Sequence, residues 1–392
     1  MSKMGMGIRI IAIMDSLLAY AQSKRDEIVA LCRRLVECES PSGDAAAVAC
    51  FTDLVSEAVS GIARVRRFPG GRFGPHLQCE FDLPGAEKEG QILALGHSDT
   101  VWPVGTLRTM PCREGDGRLW GPGVFDMKAG IALAIFAARG LRELGLPVRR
   151  KVLLQLNSDE EAGSESSRAL TEEEARRSAA VLVLEPSAGL DGKAKTARKG
   201  VGRYTVTVHG KASHSGLDFA GGASAIVELS KQIQRIARFT RLDRGLTVNP
   251  GVISGGTRAN VVAAEATAEI DVRVERLKDA AALDRKFRAL RAADERCTVV
   301  VEGGLNRPPL ERTPGVAALF AKAQALAAEL GVKLGETSVG GGSDGNFTAT
   351  LGIPTLDGIG AVGEGAHAAH ESILIDRLAD RAALIARLFE TI

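Results

Sequence analysis

Apolar positions first recur at helical spacing, where Leu31, Leu35 and Val36 predict a helix within the first 60 residues. The run Ser40-Pro41-Ser42-Gly43-Asp44 then breaks the chain and supplies an N-cap for a second helix. Short continuous apolar runs follow at residues 92–95, 152–156 and 181–184, the pattern of strands covered on both faces in a mostly parallel sheet. Between the first two, residues 129–144 carry a helical pattern long enough for a crossover. This part of the chain reads as an α/β layer.

The pattern changes near Arg198. Tyr204, Val206 and Val208 alternate with Thr205 and Thr207, as in a strand with one wet face. Ile226, Leu229, Ile233 and Ile236 then predict a helix, 246–253 and 264–274 two strands, 280–292 a helix and 298–301 a strand. That order is βαββαβ, a split βαβ sandwich of just over 100 residues. After Pro308-Pro309 an alternation of helix and short strand resumes from about Thr313, so the second unit reads as an insertion. The expected division is 1–197, the insert 198–310, and 311–392.

Length agrees, since 392 residues at about 150 per domain make two or three units. Lys plus Arg (50) balances Asp plus Glu (48) and aromatics are 4%, so neither a phosphate-neutralising surface nor a base-stacking platform is indicated, and nucleic acid is not an expected partner. No run reaches the roughly 18 apolar residues of a membrane span. The apolar stretch 10–14 behind Lys3 and Arg9 is too short for a signal sequence, and Met1, Met4, Met6 and Met14 do not read as a metal box. Cys32, Cys38, Cys50, Cys79, Cys112 and Cys297 never form CxxC, which suits reduced, mostly buried thiols and a cytoplasmic location.

Each of the three buried strands runs into acidic or imidazole side chains: His97-Ser98-Asp99, Asp159-Glu160-Glu161 and Glu185. Ligands of open α/β sheets bind outside the carboxyl ends of the strands, so these groups are expected to converge on one crevice. Several carboxylates and a histidine in partly buried space repel one another unless a cation compensates them. Nitrogen plus carboxylate ligation suits zinc first, then manganese or cobalt. In extended chain His97 and Asp99 point to the same side, so Asp99 can accept the second ring N–H of His97 and fix its tautomer. Glu160 and Glu161 are adjacent and expected to point apart, one to bind metal and the other to carry protons.

GHSDTV from Gly96, GPGVFDMKAG from Gly121, NSDEEAGS from Asn157, LEPS from Leu184, GKASHSG from Gly210, GGGSDGN ending at Asn346 and GAHAAHE from Gly365 occur in one order. With these motifs the chain, from about Ser40 to its end, resembles the M20 family of co-catalytic metallopeptidases, and most closely its glutamate carboxypeptidase branch. The resemblance implies a di-metal catalytic domain with a lid and dimerisation insert. Asp126 becomes the bridging carboxylate, His97 and Glu185 ligands of one ion, and Glu161 and His367 ligands of the other. His367 and Glu371 match the family pattern Gly-x-His-x-x-x-Glu, with His370 the alternative ligand. The resemblance also implies a cis peptide after Asp126.

The implied activity is two-ion hydrolysis of an amide beside a free carboxylate, releasing glutamate or a similar amino acid from an N-acyl or peptide conjugate. In that scheme Glu160 is the general base, Asp99 supports the site, and His214 of the lid donates to the oxyanion, commonly across a homodimer. Asn260, Arg273, Arg307, Gly341 and Gly342 match positions that hold the substrate carboxylate. An arginine fork suits a bidentate grip on such a group. Lys193, Lys195, Arg198 and Lys199 are read either as favouring an acidic substrate or as hinge surface.

His76 and His209 carry no motif and read as surface or strand residues, while Trp102 and Trp120 either line the crevice or simply pack. An N-acyl-amino-acid deacylase is the alternative activity, and a non-catalytic binding homologue a further one. Loss of Glu160 or a ligand would favour the binding homologue, and all are present. A serine or cysteine nucleophile lacks support, with no GxSxG elbow and no Cys in a motif with His.

Overall fold

A computed structural model describes residues 16–392; the 10–14 stretch and the methionines before residue 15 lie outside the described residues. The described residues form two compact units, one of Arg198–Glu311 with Val339–Gly342 and one of the remaining described residues. The larger unit is built on a six-stranded sheet in the order Ala63–Phe68, His76–Phe81, Lys151–Asn157, Gln91–His97, Ser178–Val183, Thr355–Leu356. The last four pair in parallel, and His76–Phe81 runs antiparallel to both its neighbours.

Both faces of the parallel strands are covered, which is why they read as continuous apolar runs. Ile92 and Ala94 join a large core that includes Ile131, Ile135 and Leu384, while Leu93 and Leu95 face the other way with Leu153, Val181 and Val183. The crossover helix Ala129–Glu143 is buried along nearly its whole length and packs against helices Arg25–Glu37 and Leu378–Thr391. Asp44 caps helix Ala45–Ala58 by accepting the amides of Ala46 and Ala47.

The smaller unit has the order strand, helix, strand, strand, helix, strand. Its four strands form an antiparallel sheet in the order Thr247–Gly255, Glu265–Val274, Gly200–His209, Thr298–Arg307. Tyr204, Val206 and Val208 are buried with Leu229, Ile236 and Phe287 from its two helices, and the Tyr204 and Phe287 rings stack with centroids 3.9 Å apart. The last strand continues past residue 301 to Arg307 through Gly303, whose φ is +83° and whose added Cβ would lie 2.2 Å from the carbonyl of Arg203. Residues 339–342 belong to this unit: Lys199 donates from its backbone to Val339, and Arg198 donates to the carbonyls of Gly341 and Gly342. The six cysteines are free, and no described helix is long and apolar enough to cross a membrane.

Candidate metal centre

Parallel pairing aligns the strand ends that carry the acidic and imidazole groups. His97 pairs with Asn157, and Leu95 pairs with Val183, so Glu185 comes beside His97 two residues on. His97 Nε2 stands 3.2 Å from Asp126 Oδ1 and 3.5 Å from Glu185 Oε1. Asp126 reaches this edge on the turn leading into the crossover helix, where the Asp126–Met127 peptide is cis and Met127 Sδ contacts the His97 amide at 3.4 Å. Gly96 packs closely there, since a Cβ would fall 2.8 Å from Met127 Cε.

The second oxygen of Asp126 faces the other way. Oδ2 lies 3.5 Å from His367 Nε2, and the same nitrogen lies 3.0 Å from Glu161 Oε1. His367 occupies a tight turn between strands Gly363–Glu364 and Ser372–Leu374 with φ of +60°, a conformation uncommon for a non-glycine residue. His370 is exposed and belongs to none of the ligand clusters found among the described residues.

Three trios therefore bring ligand atoms within 4.8 Å of one another: His97, Asp126 and Glu185; Asp126, Glu161 and His367; His97, Glu160 and Glu161. Four carboxylates and two imidazoles sharing this space fit divalent cations, with Asp126 common to two of the trios. Protonation follows the same electrostatics. Burial pushes the His97 pKa down, but Asp126, Asp99 and Glu185 outweigh it and hold it well above its ordinary value. Asp126 and Glu161 raise His367 to about 10. Burial raises Glu161. At Asp126 burial is outweighed by His367 and His97, and its carboxyl is held well below the usual range.

Two expectations about local geometry change. His97 Nδ1 is 2.9 Å from the backbone carbonyl of Asp99 and 3.5 Å from its carboxylate, so the carbonyl fixes the tautomer and leaves Nε2 for a metal. The Asp99 carboxylate instead accepts the amides of Glu160 at 3.2 Å and Glu161 at 3.1 Å, together with Ser42 Oγ at 2.6 Å. Glu160 and Glu161 lie in a turn beyond the strand end, not in extended chain, so consecutive side chains do not alternate and both offer an oxygen near His97.

Glu371 is a supporting group whose partners leave no trace in the sequence. Fully buried, it accepts the amides of Gly123, Phe125 and Asp126 and the indole N–H of Trp102, all at 2.9–3.0 Å. Trp102 thus braces Glu371. Burial raises the Glu371 carboxyl to about 7.

In the smaller unit His214 is exposed, and its Nδ1 accepts the amides of Gly216 at 3.1 Å and Leu217 at 3.2 Å. A bridge to Val261 sets it beside Asn260, whose carbonyl accepts the Ser215 amide. Arg307 packs its stem on Gly342, where a Cβ would approach Arg307 Cδ at 3.1 Å. Arg273 is engaged by Asp271 in a two-point pair at 3.0 Å. Of the basic run, Lys193 pairs with Asp191, Lys195 and Arg198 are buried, and Lys199 donates to the Gly245 carbonyl.

An α/β sheet whose carboxyl edge gathers this donor set defines a metal-dependent amide hydrolase. Residues 93–391 match peptidase family M20/M25/M40, and the chain belongs to that family. Carboxypeptidase G2 of Pseudomonas sp. (strain RS-16) is 29% identical over 359 residues, 90% of this chain and 85% of the relative. Acetylornithine deacetylase of Myxococcus xanthus is 33% identical over 183 residues, 44% of this chain and 46% of the relative. The crystal structure of aminopeptidase PepT from Bacillus cereus superposes with a TM-score of 0.79 at 25% identity, covering 93% of this chain and 98% of that one.

Proposed function

We propose that the protein hydrolyses an amide beside a free carboxylate, releasing glutamate or a similar C-terminal amino acid from an N-acyl or peptide conjugate. The observation that carries this reading is the similarity to a carboxypeptidase along 90% of the chain, whereas the deacetylase matches less than half. His97, Asp126 and Glu185 would hold one divalent ion, and Asp126, Glu161 and His367 the other, with zinc suiting the donors and manganese or cobalt able to replace it. When bound, the pair supplies Lewis-acid charge for the scissile carbonyl and for the attacking water.

The remaining steps belong to the protein. Glu160, held by its amide on Asp99, takes a proton from the attacking water and returns it to the leaving nitrogen. His214 donates to the carbonyl oxygen as negative charge develops. Its Nδ1 accepts from two amides, which puts the ring proton on Nε2 and supports that role. Asn260, Arg307 and the Gly341-Gly342 backbone hold the substrate carboxylate.

The smaller unit further supports a homodimer formed through it, with reach of His214 into the partner's site. Leu217, Phe219, Ile226, Val227, Val252 and Ile253 are all exposed, the last two on the edge strand of its sheet. Sedimentation at micromolar concentration should give the mass of two chains. The free thiols suit a cytoplasmic location.

The deciding experiment is a release assay in which metal-loaded protein meets a panel of N-acyl amino acids, folate-like glutamates and dipeptides, and the liberated amine is identified. Preferential release of glutamate supports the reading. Exclusive deacylation of neutral N-acyl amino acids would replace it with the deacylase alternative.

A further inference from the structure

His76 opens the His76–Phe81 strand and is only 1% exposed, so it is a strand residue with no surface role. Its Nδ1 accepts the Ser158 amide at 3.1 Å and lies 2.9 Å from Ser158 Oγ, which also reaches the Gly74 carbonyl at 3.0 Å. A ring nitrogen that accepts carries no proton, so the proton sits on Nε2 and is donated to Ser166 Oγ, 3.2 Å away. Ser166 Oγ in turn donates to Asp159 Oδ2 at 2.7 Å, an oxygen that also accepts the amides of Ser166 and Ser167. Burial pulls the His76 pKa down, in keeping with a neutral ring.

Residues 158 and 159 directly precede Glu160 and Glu161. On one side of this segment the Asp99 carboxylate holds the amides of both glutamates. On the other, His76 holds the amide of Ser158 and, through Ser166, the side chain of Asp159. The pocket for the imidazole is closely fitted, since a Cβ on Gly70 would fall 2.9 Å from His76 Cε1 and 2.8 Å from Ser158 Oγ. Removing the ring deletes the support of the Ser158 amide and of Ser166 Oγ while the Ser166 and Ser167 amides still hold Asp159, and losses of such outer contacts cost about 10- to 100-fold in metal affinity or activity.

We propose that His76 is a positioning residue, which together with Ser166 fixes the turn carrying Glu160 and Glu161 relative to His97. This rests on the hydrolase reading and extends it to a residue outside the three ligand trios.

Co2+ titrated into metal-free protein and followed by visible absorption reads the geometry of that turn without a substrate. In His76→Leu and Ser166→Ala, binding of at least one ion should weaken by about tenfold or more, with a shifted spectrum. His76→Gln, which keeps an acceptor and a donor, should lie closer to native. With full metal loading, kcat on the best amide of the panel should fall by roughly tenfold in His76→Leu while KM stays within about twofold. If His76→Leu fails to fold, Ser166→Ala, which deletes one hydroxyl, decides the matter alone. Native Co2+ affinity, spectrum and kcat in the folded variants would overturn the inference. Glu160→Gln is the control: turnover surviving in it defeats the general-base reading, whereas loss of turnover there with native behaviour in the His76 and Ser166 variants defeats this inference alone.

Discussion

Glu371 Oε1 accepts the backbone N–H of Asp126 at 3.0 Å, so the carboxylate shared by two ligand trios is aimed by a residue 245 positions further along the chain. The same side chain holds Gly123, Phe125 and Trp102. Glu371→Ala would leave four donors without their acceptor, and each buried donor left unpaired costs about 1–3 kcal/mol. The variant should unfold at clearly lower urea concentration and, where folded, retain fewer than two ions per chain by elemental analysis. A native midpoint with native metal content would show that water or a neighbouring group replaces the carboxylate.

Glu160 is 9% exposed and anchored through its amide, so exchanging its carboxylate for an amide changes chemistry and not shape. Glu160→Gln should keep the fold and both ions and lower kcat by about 10²–10⁴-fold, the usual worth of a general base. Turnover near that of the native protein would assign the proton transfer to another group.

The parallel strands and part of their chemistry were legible because burial on two faces writes itself as continuous apolar runs, and His97, Glu160, Glu161 and Glu185 follow those runs directly, whereas Asp126 and His367 lie in turns and were marked only by the family motifs. The hairpin Ala63–Phe68 with His76–Phe81 was not legible, for two reasons. In the first strand Arg64, Val65, Arg66 and Arg67 are all exposed, so no face is marked by hydrophobicity. In the second, the buried polar residues His76 and Gln78 are satisfied by Ser158 and Gln155, about 80 residues away, and a lone polar residue in a sequence does not announce a distant partner. Glu371 escaped a full reading for a related reason: three of its four partners are backbone amides, which have no residue type. The strand ending at Arg307 looked shorter because Gly303 and Gly304 mimic a turn while continuing the ladder.

The carboxylates around His97 and His367 favour a proton on each ring where a cation would otherwise be held. His367 is raised to about 10 by Asp126 and Glu161, so in metal-free protein at pH 7–8 it is charged and must lose its proton to ligate. Apparent affinity for zinc should therefore rise with pH throughout this range, and calorimetric titration in buffers of different ionisation enthalpy should register proton release. Stability of the metal-free protein should behave oppositely. Because the folded pKa lies above the unfolded one, the contribution is complete below about 6.5 and is lost as pH rises towards 10. Chelation should abolish turnover, and zinc, manganese or cobalt should restore it; turnover that survives exhaustive chelation would contradict the two-ion reading.

The two arginines matched to the substrate carboxylate differ in what already holds them. Arg273 spends its fork on Asp271 at two points, so binding substrate would mean giving up a bidentate pair. Arg307 packs its stem on Gly342, beside carbonyls that Arg198 holds in place, and donates to Asn306 Oδ1 at 3.2 Å. A charge-assisted hydrogen bond is worth about 1.5–3 kcal/mol, or roughly 10- to 150-fold in KM. Arg307→Ala should therefore raise KM for an N-acylglutamate by that order and leave a substrate esterified at the same carboxylate nearly unchanged. Equal losses on acid and ester would remove the grip from Arg307, and an acid-specific loss in Arg273→Ala instead would move it to Arg273.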